Sequence, residues 1–282
     1  MNKPYQIQAE RCLVLGDIHQ DLAYAKTAIE REKGNYDHII TLGDEFDTHK
    51  STEVAGIKET ALFVKSLCEG DFGPITQILG NHSAPYMECW SANQRYSHKH
   101  HLLNKCGGFT NSKSIEINKI LSWDNWRKFQ LFAEFGGFLL SHGGIHPSFW
   151  NFYKTREENL DSLWEEADDA LRSISIKPSR LLEAGQARGG RALIPGLIWQ
   201  DWTEEHQYDE EIGPELIGHT QQYNTVRYKF SADKSKKTYC LDGSQTTYAL
   251  LDKNGVIEFK SIVPGEINII EETGWQYNGW VN

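Results

Sequence analysis

Arg11-Cys-Leu-Val-Leu-Gly-Asp-Ile-His19 decides how this chain is read: an apolar run halts at Gly16-Asp17, and His19 follows two residues on. The same phrase returns twice. Residues 38–42 are apolar and halt at Gly43-Asp44, with Asp47 three residues further; residues 75–79 halt at Gly80-Asn81-His82. Between these runs, Leu22, Ala25, Ala28 and Ile29 share one face of a predicted helix over 22–33. Residues 52–69 predict another, opening with Thr52 as a candidate cap and closing at Gly70. Strands separated by helix-length crossovers predict a parallel arrangement with ligands at the strands' carboxyl ends.

Further along, residues 85–135 break this rhythm. They are rich in aromatic and polar groups and end in a helix-like stretch over 122–135, where Trp123, Trp126, Phe129 and Phe132 recur at helical spacing as core. Residues 137–140 return to strand character before Ser141-His142, and 157–174 read as an acidic helix. A loop rich in Gly and Arg follows over 185–192. From about residue 215 the pattern becomes short strands, 225–230, 237–241, 246–251 and 256–262, with turn chemistry at Gly243 and Asn254-Gly255. That predicts an antiparallel meander. No repeat or linker divides the chain, so one domain over 1–282 is expected, with an elaboration at about 85–136. Ser97-His98-Lys99-His100-His101 has no strand context and reads as a solvated loop.

The net charge of −10 argues against broad electrostatic capture of nucleic acid. No apolar run is long enough to cross a bilayer, and residues 1–11 lack a signal peptide's apolar stretch, so a cytoplasmic location is expected. Cys12, Cys68, Cys89, Cys106 and Cys240 form no Cys-x-x-Cys pair and are odd in number, which reads as reduced thiols.

The strand ends supply metal-ligand chemistry. Residues i and i+2 of an extended backbone point the same way, so Asp17 and His19 can reach one cation. Asp44 is the candidate carboxylate bridging two cations, and Asn81 offers an amide oxygen. His142 and His219, each after an apolar run, complete the second cation's shell. Oxygen and nitrogen donors favour manganese, with iron or zinc as alternatives. Two adjacent divalent cations can activate a water and hold a phosphoryl group. His82 would face the substrate, and a carboxylate such as Asp47 beside it raises and orients an imidazole for general-acid work. Arg188 and Arg191, flanked by glycines, are candidates to grip phosphate, against the alternative of ordinary surface arginines. Trp199 and Trp202 could line a pocket.

Together these motifs resemble the calcineurin-like metallophosphoesterase superfamily, most closely the branch of the phosphoprotein phosphatases and bacterial dinucleoside-tetraphosphate hydrolases. Leu197-Ile198-Trp199 and Leu241-Asp242-Gly243 are softer echoes, and the resemblance spans about residues 12 to 252. It implies an α/β fold of two packed mixed β-sheets flanked by helices. It also implies ligand and acid roles for Asp17, His19, Asp44, Asn81, Asp47 and His82, and places His142 and His219 on the second metal. Thr48-His49 stand where the protein phosphatases carry Arg-Gly, Ser83 where they carry Glu, and Gln20 where Gly is usual. Gln221 replaces the second histidine of Gly-His-x-His found in other branches, which favours the phosphatase-like one. The expected activity is hydrolysis of a phosphomonoester, from a phosphoprotein or small metabolite. In-line attack by a hydroxide held between two cations is expected, with His82 protonating the leaving group. The alternative is a nucleotide phosphodiesterase or pyrophosphohydrolase acting on a dinucleoside polyphosphate. A non-catalytic scaffold is disfavoured, because the ligands and the acid are retained.

Overall fold

The structure, a computed structural model, describes residues 3–48, 54–94, 103, 106–203, 211–230 and 237–272. The apolar runs before Gly16, Gly43 and Gly80 are the strands Arg11–Leu15 (β1), His38–Thr41 (β2) and Ile75–Ile78 (β3), paired in parallel. Leu22–Arg31 (α1) and Ile57–Glu69 (α2) form the crossovers. The Asp21 side chain caps α1 by accepting from the Tyr24 N–H, and Gly70 closes α2 in the left-handed conformation. Thr52 lies outside the described residues, as does the 97–101 stretch. Along β1, Cys12 and Val14 face the other sheet while Leu13 and Leu15 pack with Tyr24, Ala25 and Ala28 of α1. A strand covered on both faces needs apolar residues at every position, which is why these runs do not alternate.

Ala84–Gln94 (α3) and Asn111–Ile120 (α4) follow β3. The expectation of a helix over 122–135 is corrected. Ser122 opens a single turn, Trp123–Trp126 (α5), through a reciprocal capping box with Asn125, and the chain then extends as Phe129–Gln130 (β4) and Phe132–Phe135 (β5). An aromatic spacing of three is satisfied here by one turn followed by strands. Phe132 packs on the helical side while Ala133 and Phe135 enter the layer between sheets. Gly136-Gly137, both at positive φ, then turn the chain into Phe138–Ser141 (β6). The acidic helix is Arg156–Arg172 (α6), opened by a Thr155–Glu158 capping box.

The remaining strands are Glu215–Ile217 (β7), Thr225–Phe230 (β8), Lys237–Cys240 (β9), Thr247–Asp252 (β10), Ile257–Ser261 (β11) and Asn268–Glu271 (β12). One six-stranded sheet runs β11-β10-β1-β2-β3-β4 and the other β12-β8-β9-β7-β6-β5. Both are mixed, and helices flank them, as the resemblance implies. The expected meander is corrected too. β8 and β9 pair antiparallel, as do β10 and β11, but the two pairs lie in different sheets. The Leu241 N–H still bonds to the Ile217 carbonyl of the second sheet; β10 then pairs with β1 in the first, from Arg11↔Asp252 to Leu15↔Tyr248. Ala249 and Leu251 fill the same inter-sheet layer as Leu241, so the crossing keeps the apolar face covered. Among the described residues no helix is long and apolar enough to cross a membrane.

Phe132 is fully buried against Tyr5 and Trp164. Phe132→Ala is expected to destabilise the protein by about 3–5 kcal/mol, checked by the midpoint of urea unfolding.

Candidate metal centre

The tips of β1, β2 and β3 meet those of β6, β7 and β9, and the candidate ligands come from the short turns just beyond them. Asp17, His19, Asp44, Asn81, His82, His142 and His219 are all buried. Donor atoms of Asp17, His19 and Asp44 lie within 4.8 Å of one another, as do those of Asp44, His142 and His219. Asp44 belongs to both groups. The turns are unusual: His19, Asp44, Asp47 and His219 have φ of 45°, 50°, 62° and 70°. Non-glycine residues adopt such values uncommonly, and only where their surroundings over-determine them. Here backbone donors do so. His19 N–H donates to the Asp44 carbonyl at 2.7 Å, His82 N–H to Asp44 Oδ1 at 2.8 Å, and His219 N–H to Asp17 Oδ1 at 3.0 Å. The glycines preceding Asn81 and His219 have a steric reason. A Cβ on Gly80 would lie 2.0 Å from Asp44 Oδ1, and one on Gly218 would lie 2.2 Å from Asp17 Oδ1.

Hydrogen bonds aim the imidazoles. His142 Nδ1 is 2.8 Å from the Leu42 carbonyl and His19 Nδ1 is 2.7 Å from the Asp47 carbonyl. A carbonyl only accepts, so each Nδ1 carries a proton and each Nε2 turns toward the cluster. His142 Nε2 then faces Asn81 Oδ1 at 2.9 Å, His219 Nδ1 at 3.0 Å and Asp44 Oδ2 at 3.3 Å. His19 Nε2 lies 3.6 Å from Asp17 Oδ2.

This crowding of lone pairs moves protons. Burial would lower the His19 pKa, but Asp17 and Asp44 outweigh it and push it up to about 10. Burial opposes His142 likewise, and Asp44 and Asp17 raise it to about 9. His219 is held well below its usual range by burial, then by neighbouring His142 and Arg188. Asp44, despite burial, is held well below the carboxylate range by His142 and His82. His219 Nε2 is buried with no hydrogen-bond partner among the described residues. Oxygen and nitrogen donors of this number and charge fit divalent cations, with His19 and Asp17 on one side of Asp44 and His142, His219 and Asn81 on the other.

Beside this cluster, His82 Nδ1 lies 3.6 Å from Asp47 Oδ2, and the His82 and His19 rings meet edge to face. Arg188 lies against His219: its Nη2 pairs with Asp201 at 2.6 Å and donates to Thr220 Oγ1 at 3.1 Å. Its Nε is buried with no partner among the described residues. Arg191 is exposed on the surface beyond this turn. The Trp199 ring stands edge-on to His219, whereas Trp202 is fully buried with Lys229 over its face.

Asp242, read in the sequence only within the Leu241-Asp242-Gly243 echo, joins the centre, and four further residues with no expected role stand beside it. Asp242, at the tip of β9, is buried, has an unpartnered Oδ2 among the described residues, and is raised well above the carboxylate range by burial and by Asp17. Its Leu-Asp-Gly context repeats the strand-end acid signal. Buried Glu45 accepts from Thr41 and Ser83 hydroxyls, tying the β2 turn to the β3 turn. Cys106 Sγ lies 3.0 Å from both Asn81 Nδ2 and the Asn81 carbonyl. Tyr86 and Lys113 both reach Asp47 Oδ1. Nothing in the local sequence marks these last three, because their contacts span the fold.

A family model described as calcineurin-like phosphoesterase matches residues 10–233. No curated protein matches the chain. Among solved structures, a cold-active protein-tyrosine phosphatase of the psychrophile Shewanella sp. is similar at 16% identity and a TM-score of 0.56, covering 91% of this chain and 82% of that one. A protein serine/threonine phosphatase from Saccharomyces cerevisiae is similar at 12% identity and a TM-score of 0.49, covering 90% and 81%. The likeness to the Shewanella protein is one of fold.

The raised His19 and His142 pKa values predict that a cation must displace protons to bind at neutral pH. Apparent manganese affinity is therefore expected to fall by about tenfold per displaced proton for each unit of acidification below pH 9. Proton release during manganese titration of the metal-free protein checks this.

Proposed function

Because the chain belongs to the calcineurin-like phosphoesterase family, we propose that it is a dinuclear metal-dependent phosphoesterase that hydrolyses phosphomonoesters. Asp44 carries the reading. One carboxylate common to both donor groups can tie two cations together. Asp17 and His19 would hold one cation, and Asn81, His142 and His219 the other. When bound, two divalent cations supply charge neutralisation at the phosphoryl group and an acidified water.

The chain's own residues do the rest. Arg188 offers its buried Nε–H to a phosphoryl oxygen, while Asp201 and Thr220 hold the guanidinium in place. His82 donates the proton to the leaving oxygen, and Asp47, facing Nδ1, orients the ring and steadies its positive charge. The carbonyls of Leu42 and Asp47 keep the His142 and His19 rings aimed inward. Monoester preference rests on Gln221, an exposed residue where other branches of the superfamily place a further histidine ligand.

Metal analysis combined with a substrate panel tests this. Para-nitrophenyl phosphate, its bis-ester, phosphopeptides and a dinucleoside tetraphosphate would be compared with manganese, iron and zinc. Preferred turnover of the monoesters is expected. Preference for the bis-ester or the dinucleotide would overturn the monoesterase assignment, and metal-loaded protein inactive on every ester would overturn the reading entirely. Asp44→Asn is expected to lower metal content. Arg188→Ala is expected to lower kcat/KM about 10- to 100-fold at unchanged metal content, the worth of a hydrogen bond to a charged group.

A further inference from the structure

The 85–136 segment contributes a lysine that the proposed chemistry has not yet used. Lysine is almost never fully buried unless paired, and Lys113, in the first turn of α4, is completely inaccessible. Its Nζ donates to Asp47 Oδ1 at 3.0 Å and to the Gly108 carbonyl at 2.8 Å. Tyr86, from α3, donates its hydroxyl to the same Asp47 Oδ1 at 2.6 Å. Asp47 Oδ2 accepts no hydrogen bond among the described residues, and it is the oxygen that faces His82 Nδ1 at 3.6 Å. A carboxylate turns readily about its Cβ–Cγ bond, which would exchange its two oxygens. Two donors on one oxygen stop that rotation and commit the other to the imidazole.

We infer that Lys113 is a positioning residue for proton donation by His82, acting through Asp47; this rests on the phosphoesterase reading above. The energetics point the same way. Desolvating a buried ion pair is costly, and well-packed apolar residues often do as well or better for stability. An ammonium kept in such a place is better accounted for by what it holds than by what it stabilises. The elaboration that interrupts the strand–helix rhythm thus props the acid of the site: α3 and α4 each send one donor to the same oxygen.

Proton donation matters most when the leaving alkoxide is poor, so the leaving group is the readout. Lys113→Met and Tyr86→Phe would be assayed on para-nitrophenyl phosphate, whose leaving group needs little protonation, and on propyl phosphate, whose leaving group needs it. Each variant is expected to lose about 10- to 100-fold in kcat on propyl phosphate, part of what a general acid supplies, and less than about threefold on para-nitrophenyl phosphate. Metal content should match wild type. In the metal-free protein, the His82 ring 15N signals should shift in both variants and not in a Glu116→Gln control. Should Lys113→Met fold poorly, Tyr86→Phe carries the test alone. Equal losses on both esters, no loss on either, or unmoved His82 signals would overturn the assignment. Wild-type protein inactive on both esters would instead remove the phosphoesterase reading, and the assignment with it.

Discussion

A single apolar layer between two sheets holds the candidate centre together. Asp17, Asp44 and Asn81 lie beyond strands of one sheet, and His142, His219 and Asp242 beyond strands of the other. Neither sheet alone could gather them. Cys12, Val14, Ile40 and Leu42 pack against Leu140, Leu216 and Leu241, and this contact brings the two rows of tips into register. Hydrogen bonds then cross the seam at its polar end, from His219 N–H to Asp17 and from His142 Nδ1 to the Leu42 carbonyl. Burial of the carboxylates and imidazoles follows from the same packing, and with it the strong mutual influence among their charges.

Those charges suit the candidate centre to cations and set it apart from an ordinary polar core. In the metal-free protein a proton on each of His19 and His142 answers the surrounding carboxylates, while burial, and then His142, holds His219 well below its usual range. The left-handed turns at His19, Asp44, Asp47 and His219 add backbone strain at the same spot. Local rules of folding are broken there together, which is the pattern expected of a site shaped for something other than stability.

Much of this is legible in the sequence alone. Gly-Asp, Gly-Asn-His and Gly-His each join a steric need to a ligand: Gly80 and Gly218 leave room for Asp44 and Asp17, so the glycine and the donor travel together in the sequence. The order of β1, α1, β2, α2 and β3 was legible for a similar reason, because the helices show their period and the strands end abruptly. The region 122–135 misled, since aromatic residues spaced by three serve a helix turn and a doubly covered strand equally well. The split of the C-terminal strands between sheets was hidden because turn chemistry at Gly243 does not say which sheet receives the next strand. Lys113, Tyr86 and Cys106 were invisible for a deeper reason: each acts on a partner distant in the chain, and nothing in its immediate neighbours differs from an ordinary helix or loop.

One geometric fact reaches into how the protein is made. Asp17 and His219 are joined by a hydrogen bond across 202 positions, and β1 completes its pairing only with β10. Such distant closures are slow to form, because chain entropy opposes them until late contacts compensate. On a ribosome, the first acid of the centre must therefore wait, next to partly formed sheets, for about two hundred further residues to emerge. An ion that prefers the finished cage would favour the folded chain over the waiting one, so its binding would be linked to closure of the two sheets.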